Sequence, residues 1–155
     1  MANRFIVDTN VLIHLDYFNK KVFKSLWANI DEMIQKEELI SLKEVFLELN
    51  KVDDRISDYW NGINNTHEFF IDPPDEALAY LPELEQFEIF QDYGKEKPLW
   101  ADPHLITYGM AKNATIITQE TLNKHPKRKI PFVCNEIGVD CVNLDEFMIS
   151  NGWEW

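Results

Sequence analysis

The stretch FIVDTNVLI, from Phe5 to Ile13, places three polar residues in the middle of an apolar run. Residues 5–7 are typical of a buried strand, and apolar residues resume at Val11, where a helix would begin. A carboxylate at the edge of a core is unfavourable unless it is paired, so Asp8 needs a role. Asp is favoured as the N-cap of a helix, and a carboxylate in this place can also hold a metal ion. The stretch leaves both roles open.

The rest of the chain alternates short apolar runs with longer helical patterns. The runs predict strands at Phe5–Val7, Leu39–Ser41, Thr115–Thr118 and Cys141–Asn143, with Phe132–Cys134 as a weaker candidate. The helical patterns lie near Val11–Phe18, Val22–Lys36, Leu42–Lys51, Asp53–Asn61, Glu76–Gln91, Pro103–Asn113 and Leu144–Ser150. Such alternation is typical of α/β proteins, in which helices cover both faces of a parallel sheet.

The composition fits a single domain of an ordinary globular protein. The chain has 155 residues, of which 45% are hydrophobic and 27% charged. No stretch approaches the roughly 20 apolar residues of a membrane span, and the first ten residues lack the apolar segment of a secretory signal. Cys134 and Cys141 match no zinc spacing and are too few for a disulfide framework, which favours reduced thiols. We therefore expect a cytoplasmic protein with no membrane contact.

The formal net charge of −12 limits the classes of partner. It argues against broad electrostatic attraction to nucleic acid or anionic membranes. It does not exclude a nuclease, because bound divalent cations would offset part of a concentrated acidic site. It also favours the approach of a basic partner protein.

Two segments depart from the average charge. No Lys or Arg lies between Arg55 and Lys95, and acids accumulate there with helical periodicity, which predicts an acidic helical insertion at about residues 65–98. The opposite bias follows in NKHPKRKIP, which is the best local candidate for binding substrate phosphates. Its cations are Lys124, Lys127, Arg128 and Lys129. The alternative for both segments is a solvated surface.

Four acids lie just past a predicted strand or in the helix that follows it. They are Asp8, Glu48, Asp102 and Glu120. In open parallel sheets, ligands bind beyond the carboxyl ends of the strands, and carboxylate oxygens with few soft ligands suit Mg²⁺ or Mn²⁺. Taken alone, Asp102 could instead be an N-cap with Pro103 at the first helical position, and Glu120 could lie in a solvated turn.

Two glutamates of one predicted helix have different expected roles. Ser41 and Glu44 have the spacing of a capping box, in which each side chain binds the other residue's backbone amide. Glu48 lies one turn further and borders the apolar stripe that contains Val45 and Val52. A carboxylate there is half-buried and needs a partner, so the sequence assigns the metal to Glu48 and not to Glu44.

Taken in order, these motifs resemble those of the PIN-domain nucleases. The matching segments are VDTNVLI at Asp8, VFLEL at Glu48, WADPHLI at Asp102 and IITQE at Thr118 and Glu120. The final segment RKIPFVCNEIGVDCVNLDEFM is similar to the ending of a PIN subfamily of unknown function. The chain departs from the pattern at Glu120, where Asp is commoner, and its acidic insertion is longer than in the most compact members.

The resemblance implies a single PIN-like domain over residues 1–155, with the three-layer α/β/α architecture. It also implies a Mg²⁺- or Mn²⁺-dependent endoribonuclease. Many relatives are VapC-like toxins of toxin–antitoxin pairs, which dimerise and are silenced by a cognate antitoxin. The apolar residues of the predicted helices Val11–Phe18 and Val22–Lys36 also favour a homodimer. The alternative is a catalytically inactive PIN-like scaffold that binds RNA or a protein partner.

The resemblance further implies a role for each matching residue. Asp8, Glu48 and Asp102 would hold metal ions that polarise the scissile phosphate and activate a water molecule. Thr9 or Asn10 would orient a carboxylate or contact the phosphate. Thr118 and Glu120 would hold a second metal ion or its water ligands.

Overall fold

The central sheet has five strands, all parallel, in the order β3-β2-β1-β4-β5. The structure is a computed structural model, and it describes residues 4–91, 101–123 and 125–154. The strands are β1 (Phe5–Val7), β2 (Leu39–Leu42), β3 (Phe70–Ile71), β4 (Thr115–Ile117) and β5 (Cys141–Val142). The first strand of the chain therefore lies at the centre of the sheet.

Helices cover the sheet and confirm the expected three-layer α/β/α fold. They are α1 (Thr9–Leu15), α2 (Lys24–Gln35), α3 (Lys43–Val52), α4 (Asp54–Thr66), α5 (Asp75–Leu78), α6 (Glu88–Gln91), α7 (Asp102–Lys112), α8 (Ile130–Ile137) and α9 (Leu144–Ser150). Short 3₁₀ turns occur at Leu81–Leu84 and Pro126–Arg128. Within the described residues, no helix combines the length and the apolar character needed to cross a membrane.

The central strands are buried on both faces, as expected for a parallel sheet. Ile6 and Val7 of β1 are buried, and so is every residue of β2. Ser41 is the polar exception in β2, and its hydroxyl donates a 2.8 Å hydrogen bond to the Val7 carbonyl of the neighbouring strand. Helices α1 and α3 begin almost directly after β1 and β2, so their first turns lie at the carboxyl edge of the sheet.

Helix α7 is buried nearly all round. Its first eight residues, from Asp102 to Gly109, are all buried. Gly109 allows the side chain of Val139 to pack directly against the backbone of α7, because a Cβ atom at this position would lie only 2.7 Å from Cγ1 of Val139. The acidic segment packs against this helix through α5, the 3₁₀ turn at Leu81–Leu84 and α6. The segment therefore helps to bury α7, and Glu76 of α5 forms an ion pair with Lys112 at the end of that helix.

The structure corrects two of the expected elements and adds a strand. Phe132–Cys134 is not a strand but part of α8, which ends at Gly138 in the left-handed conformation (φ 79°). The single helix expected over Glu76–Gln91 is divided into shorter pieces, one of which has Pro82 in its first turn. Strand β3 was not expected. Residues 92–98 of the expected insertion lie outside the described residues.

Candidate metal centre

Three carboxylates meet at the carboxyl edge of the sheet. Asp8, Asp102 and Glu120 each have an oxygen within 4.8 Å of the other two. Asp8 follows β1 and Glu120 lies shortly after β4, and these two strands are neighbours in the sheet. Asp102 is the first residue of α7. Asp8 and Asp102 are only 3% and 7% exposed, whereas Glu120 is half-buried. Three of the four acids expected to bind metal are thus brought together.

Asp8 is deeply buried and accepts two hydrogen bonds. Its Oδ1 accepts a hydrogen bond from the Thr9 amide at 2.7 Å, and its Oδ2 accepts one from the Thr118 hydroxyl at 2.9 Å. Burial and then the negative charge of Glu120 raise the pKa of Asp8 to about 7, although the two hydrogen bonds oppose this shift. The site therefore favours a positive charge, a proton or a metal ion, beside this carboxylate.

Glu48 lies beside the three carboxylates but does not belong to the close group among the described residues. Its Oε2 accepts a 2.8 Å hydrogen bond from the Thr9 hydroxyl, and its Oε1 accepts a 2.7 Å bond from the Ala101 amide. Helix α3 is thereby joined to the starts of α1 and α7. The negative charge of Glu48 still acts on the centre, because it contributes to the raised pKa of Asp8.

Glu120 connects the centre to α8. Its Oε2 accepts a 2.8 Å hydrogen bond from the amide of Ile130, the first residue of that helix. The Thr118 hydroxyl accepts a 3.2 Å bond from the Glu120 amide while it donates to Asp8. One hydroxyl group thus contacts the carboxylate of Asp8 and the backbone of Glu120.

Asn10 positions the backbone beside the centre. Its Oδ1 accepts a 3.0 Å hydrogen bond from the amide of Gln119, which ties α1 to the segment after β4. Thr9 orients the carboxylate of Glu48, which is one of the roles expected for Thr9 or Asn10. Thr118, which was expected to hold a second metal ion or its water ligands, orients the carboxylate of Asp8.

The expected capping box of Ser41 and Glu44 is wrong. Strand β2 extends to Leu42, which is the N-cap of α3, and the Ser41 hydroxyl is used within the sheet. Glu44 nevertheless lies in the first turn of α3, and its buried Oε2 has no hydrogen-bond partner among the described residues. Asp102 is also not an N-cap, because Ala101 takes that position.

His104 was missed as a buried residue of this region. It is 7% exposed. Burial lowers the pKa of His104, and the nearby charge of Glu44 opposes that shift. The apolar residues around it in the segment DPHLITYG were the sequence signal that could have predicted its burial. The amides of Ala101 and Ile130, which bind Glu48 and Glu120, have no side-chain signature in a sequence.

The basic segment lies next to the centre. Lys127 and Arg128 are exposed in the 3₁₀ turn, Lys129 follows, and the next residue is the Ile130 that binds Glu120. Arg128 Nε lies 3.6 Å from an oxygen of Glu88 in α6. Lys124 lies outside the described residues.

Comparison with known proteins identifies a family for the chain. No curated protein matches the chain significantly. A family model with the description "Domain of unknown function (DUF4411)" matches residues 5–155, which include every residue of the candidate centre. The chain therefore belongs to the DUF4411 family of domains of unknown function.

Proposed function

We propose that this protein is a Mg²⁺- or Mn²⁺-dependent endoribonuclease that hydrolyses phosphodiester bonds in RNA. The observation that carries the proposal is the meeting of Asp8, Asp102 and Glu120 within 4.8 Å, two of them buried. Among the described residues, Asp8 and Glu120 receive only hydroxyl and amide hydrogen bonds and make no ion pair. Carboxylates so close repel one another unless a cation is bound, and an all-oxygen donor set suits Mg²⁺ or Mn²⁺.

Each residue of the centre has a definite part in this proposal. A bound divalent cation supplies charge stabilisation at the phosphate and lowers the pKa of a water molecule. Asp8, Asp102 and Glu120 would hold it. Thr118 fixes the orientation of Asp8, and Glu48 holds the starts of α1 and α7 together through Thr9 and Ala101.

The basic segment beside the centre supports a substrate with a phosphate backbone. Lys127, Arg128 and Lys129 directly precede Ile130, whose amide binds Glu120, so this basic segment is connected to the centre through Glu120. Phosphate contacts of this kind position a strand without reading its sequence. The choice of RNA as substrate rests on the resemblance to PIN-domain nucleases.

The same resemblance supports three finer proposals, namely a cytoplasmic toxin, a homodimer and a cognate antitoxin. Most apolar residues of α1 and α2 are buried within the chain. The surface that supports a dimer is therefore smaller than expected and includes the exposed Tyr17 and Val22 between these helices. The acidic balance of the chain supports a basic protein partner.

The test is cleavage of single-stranded RNA in Mn²⁺, in Mg²⁺ and in EDTA. We expect cleavage only with metal, and a loss of about 100-fold or more in Asp8→Asn and Asp102→Asn, since even outer-shell changes lower metal-dependent activity 10- to 100-fold. Asp58→Asn, an exposed change in α4, is the matched control. Cleavage that persists in EDTA, or equal activity of Asp8→Asn and Asp58→Asn, contradicts the proposal.

A scaffold that binds RNA or protein without cutting is the second candidate. It is favoured by the net charge of −12 and by Glu48, both of whose oxygens already accept hydrogen bonds within the chain. Cleavage of RNA in the presence of bound metal distinguishes the two candidate functions. A chain that binds Mn²⁺, as judged by a raised melting temperature, but leaves every RNA intact is the scaffold.

A further inference from the structure

A cleft of about 290 Å³ lies between α3, α4 and β3, away from the carboxylates. It is lined by Lys43, Phe46, Leu47, Asn61, Asn64 and Phe70. Its volume is at the lower end of the range of about 300 to 1,000 Å³ that is usual for small-molecule sites. None of these residues contributes to the candidate metal centre.

The apolar wall of the cleft suits a flat ring. Phe46 and Phe70 pack with ring centroids 5.0 Å apart and planes tilted by 50°. Phe70 is buried, whereas Phe46 is partly exposed and Leu47 is 39% exposed. Nucleobases of single-stranded RNA characteristically stack on aromatic side chains of this kind.

The polar wall offers hydrogen-bond donors. Asn64 Oδ1 accepts bonds from the amides of Phe69 and Phe70 at 2.8 and 2.9 Å, which fixes the side chain. Its Nδ2 group and the whole amide of Asn61 make no hydrogen bond to a described residue. The edges of nucleobases carry acceptors for such donors.

The surface of α3 connects the cleft to the centre. At about 100° per residue, Glu48, Lys51, Leu47 and Lys43 follow one another around the helix in steps of about 60°, 40° and 40°. Lys51 is exposed, and among the described residues it has no ion-pair partner. Lys51 therefore offers a positive charge on the side of α3 that carries the cleft residues Leu47 and Lys43.

We propose that the cleft binds one base of the RNA strand that is cut at the metal centre, with Lys51 contacting the phosphate backbone of the same strand. The proposal rests on the proposed function and narrows its substrate to single-stranded RNA with a base preference near the cut. The occupant follows from the aromatic wall, the unused amide donors and the positive charge on the connecting surface.

The first test removes single bases from the substrate. Wild type is assayed on a series of single-stranded RNAs, each with one abasic nucleotide near the cut bond. We expect one position to lower kcat/KM about tenfold, the usual effect of one stacked base. Phe46→Leu should lower kcat/KM for intact RNA to a similar extent and should no longer distinguish intact from abasic RNA. The proposal is overturned if no position matters, or if Phe46→Leu keeps the full abasic effect.

The second test exchanges a donor for an acceptor. Asn64→Asp keeps the oxygen that binds the Phe69 and Phe70 amides but replaces Nδ2 by an acceptor, so the preferred base at the sensitive position should change. Asn65→Asp places the same charge on the next, exposed residue and should keep the wild-type preference. An unchanged preference in Asn64→Asp, with an unchanged melting temperature, overturns the proposal.

The outcomes separate this proposal from the proposed function. If wild type cuts RNA and Phe46→Leu behaves identically on every substrate, the cleft proposal alone fails, and a protein side chain becomes the better occupant. If wild type cuts no RNA, the proposed function fails. Equilibrium binding of the same oligonucleotides, labelled with a fluorophore and measured in Mn²⁺, then tests whether the cleft binds a base. A tenfold weaker binding by Phe46→Leu than by Asn65→Asp supports it, and equal binding overturns it.

Discussion

Asp8 combines the two roles that its sequence position allowed. It is the N-cap of α1, where it accepts the Thr9 amide, and it also lies with Asp102 and Glu120 in the candidate metal centre. The cap uses Oδ1 and the Thr118 hydroxyl binds Oδ2. These two contacts hold the carboxylate in one orientation although its burial disfavours the charge.

The pH dependence of stability should reveal the buried charge of Asp8. Folding raises the pKa of Asp8 from 3.8 to about 7, so this group contributes stability that is complete below about pH 4 and is lost as the pH rises through about 7. In metal-free buffer, the free energy of unfolding should fall over this range by on the order of 4 kcal/mol. Urea denaturation at several pH values measures it.

Asp8→Asn is the control for this experiment. The variant cannot ionise at position 8, so its stability should exceed that of wild type at about pH 8 and vary less between about pH 4 and pH 7. Parallel pH profiles for the two proteins would show that Asp8 is not the group responsible.

Substitution by glutamine should affect metal binding and cleavage differently at the two glutamates of α3. Glu48→Gln removes a charge that acts on Asp8 and alters the hydrogen bonds to Thr9 and Ala101. We expect it to weaken Mn²⁺ binding and RNA cleavage. Glu44→Gln changes a side chain outside the close group, so both activities should stay near wild type, with a stability change of about 1 kcal/mol. Calorimetry with Mn²⁺ and a cleavage assay check both, and the reverse result would show that the assignment is wrong.

At the level of single residues, the sequence predicted which acids meet at the centre better than it predicted the hydrogen-bond partners of the acids. Asp8, Asp102 and Glu120 could be identified because each follows a strand or opens a helix at the carboxyl edge of the sheet. The role of Glu44 could not, because it depended on whether β2 ends at Ser41 or at Leu42. A shift of one residue moves the start of the helix and removes the cap.

Among the elements, the longer periodic segments were predicted and the short ones were not. The helices corresponding to α2, α3, α7 and α9 lie within two residues of their expected bounds. Strand β3 has two residues, too few for a pattern to identify. The apolar run in α8 was ambiguous between strand and helix, and the buried spacing of Ile130, Val133 and Cys134 decides for the helix.

Helix α8 should depend on Glu120 for its first turn. Glu120→Ala leaves the Ile130 amide without its 2.8 Å acceptor, which should lower the free energy of unfolding by about 1 to 3 kcal/mol in metal-free buffer. Hydrogen exchange of that amide should become faster. Glu136→Ala, an exposed change in the same helix, is the control, and equal exchange rates in both variants would contradict the anchoring role.

The whole molecule is acidic, but some of the cations on the proposed substrate surface form no ion pair with a described residue. Lys36, Lys43 and Arg55 each form an ion pair with an acid. Among the described residues, Lys51 and Lys127 form none. The net charge of −12 therefore conceals local positive charge along the expected course of a strand.

Salt dependence of RNA binding should report these charges. Lys127→Gln and Lys51→Gln should each reduce the slope of log affinity against log salt by about 0.7, the value for one phosphate contact on a single strand. Lys36→Gln is the control, because Lys36 is paired with Glu32 on the same helix. Fluorescence anisotropy in Mn²⁺ at several salt concentrations, with Asp8→Asn as the background to prevent cleavage, measures the slopes. Equal slopes for all three lysine variants would show that Lys127 and Lys51 do not contact the phosphates of the RNA.

The central position of β1 has a consequence for the order of synthesis. This strand is made first, but its neighbour β4 and the carboxylate of Glu120 follow more than 100 residues later. At about 5 to 20 residues per second, the ribosome needs about 6 to 22 seconds to extend the chain from Asp8 to Glu120. Throughout that time the nascent chain lacks one of the three acids, and the amide of Ile130 that holds Glu120 is made later still. If the proposed cleavage requires all three acids, the nascent chain cannot cut RNA before Glu120 and Ile130 have been made.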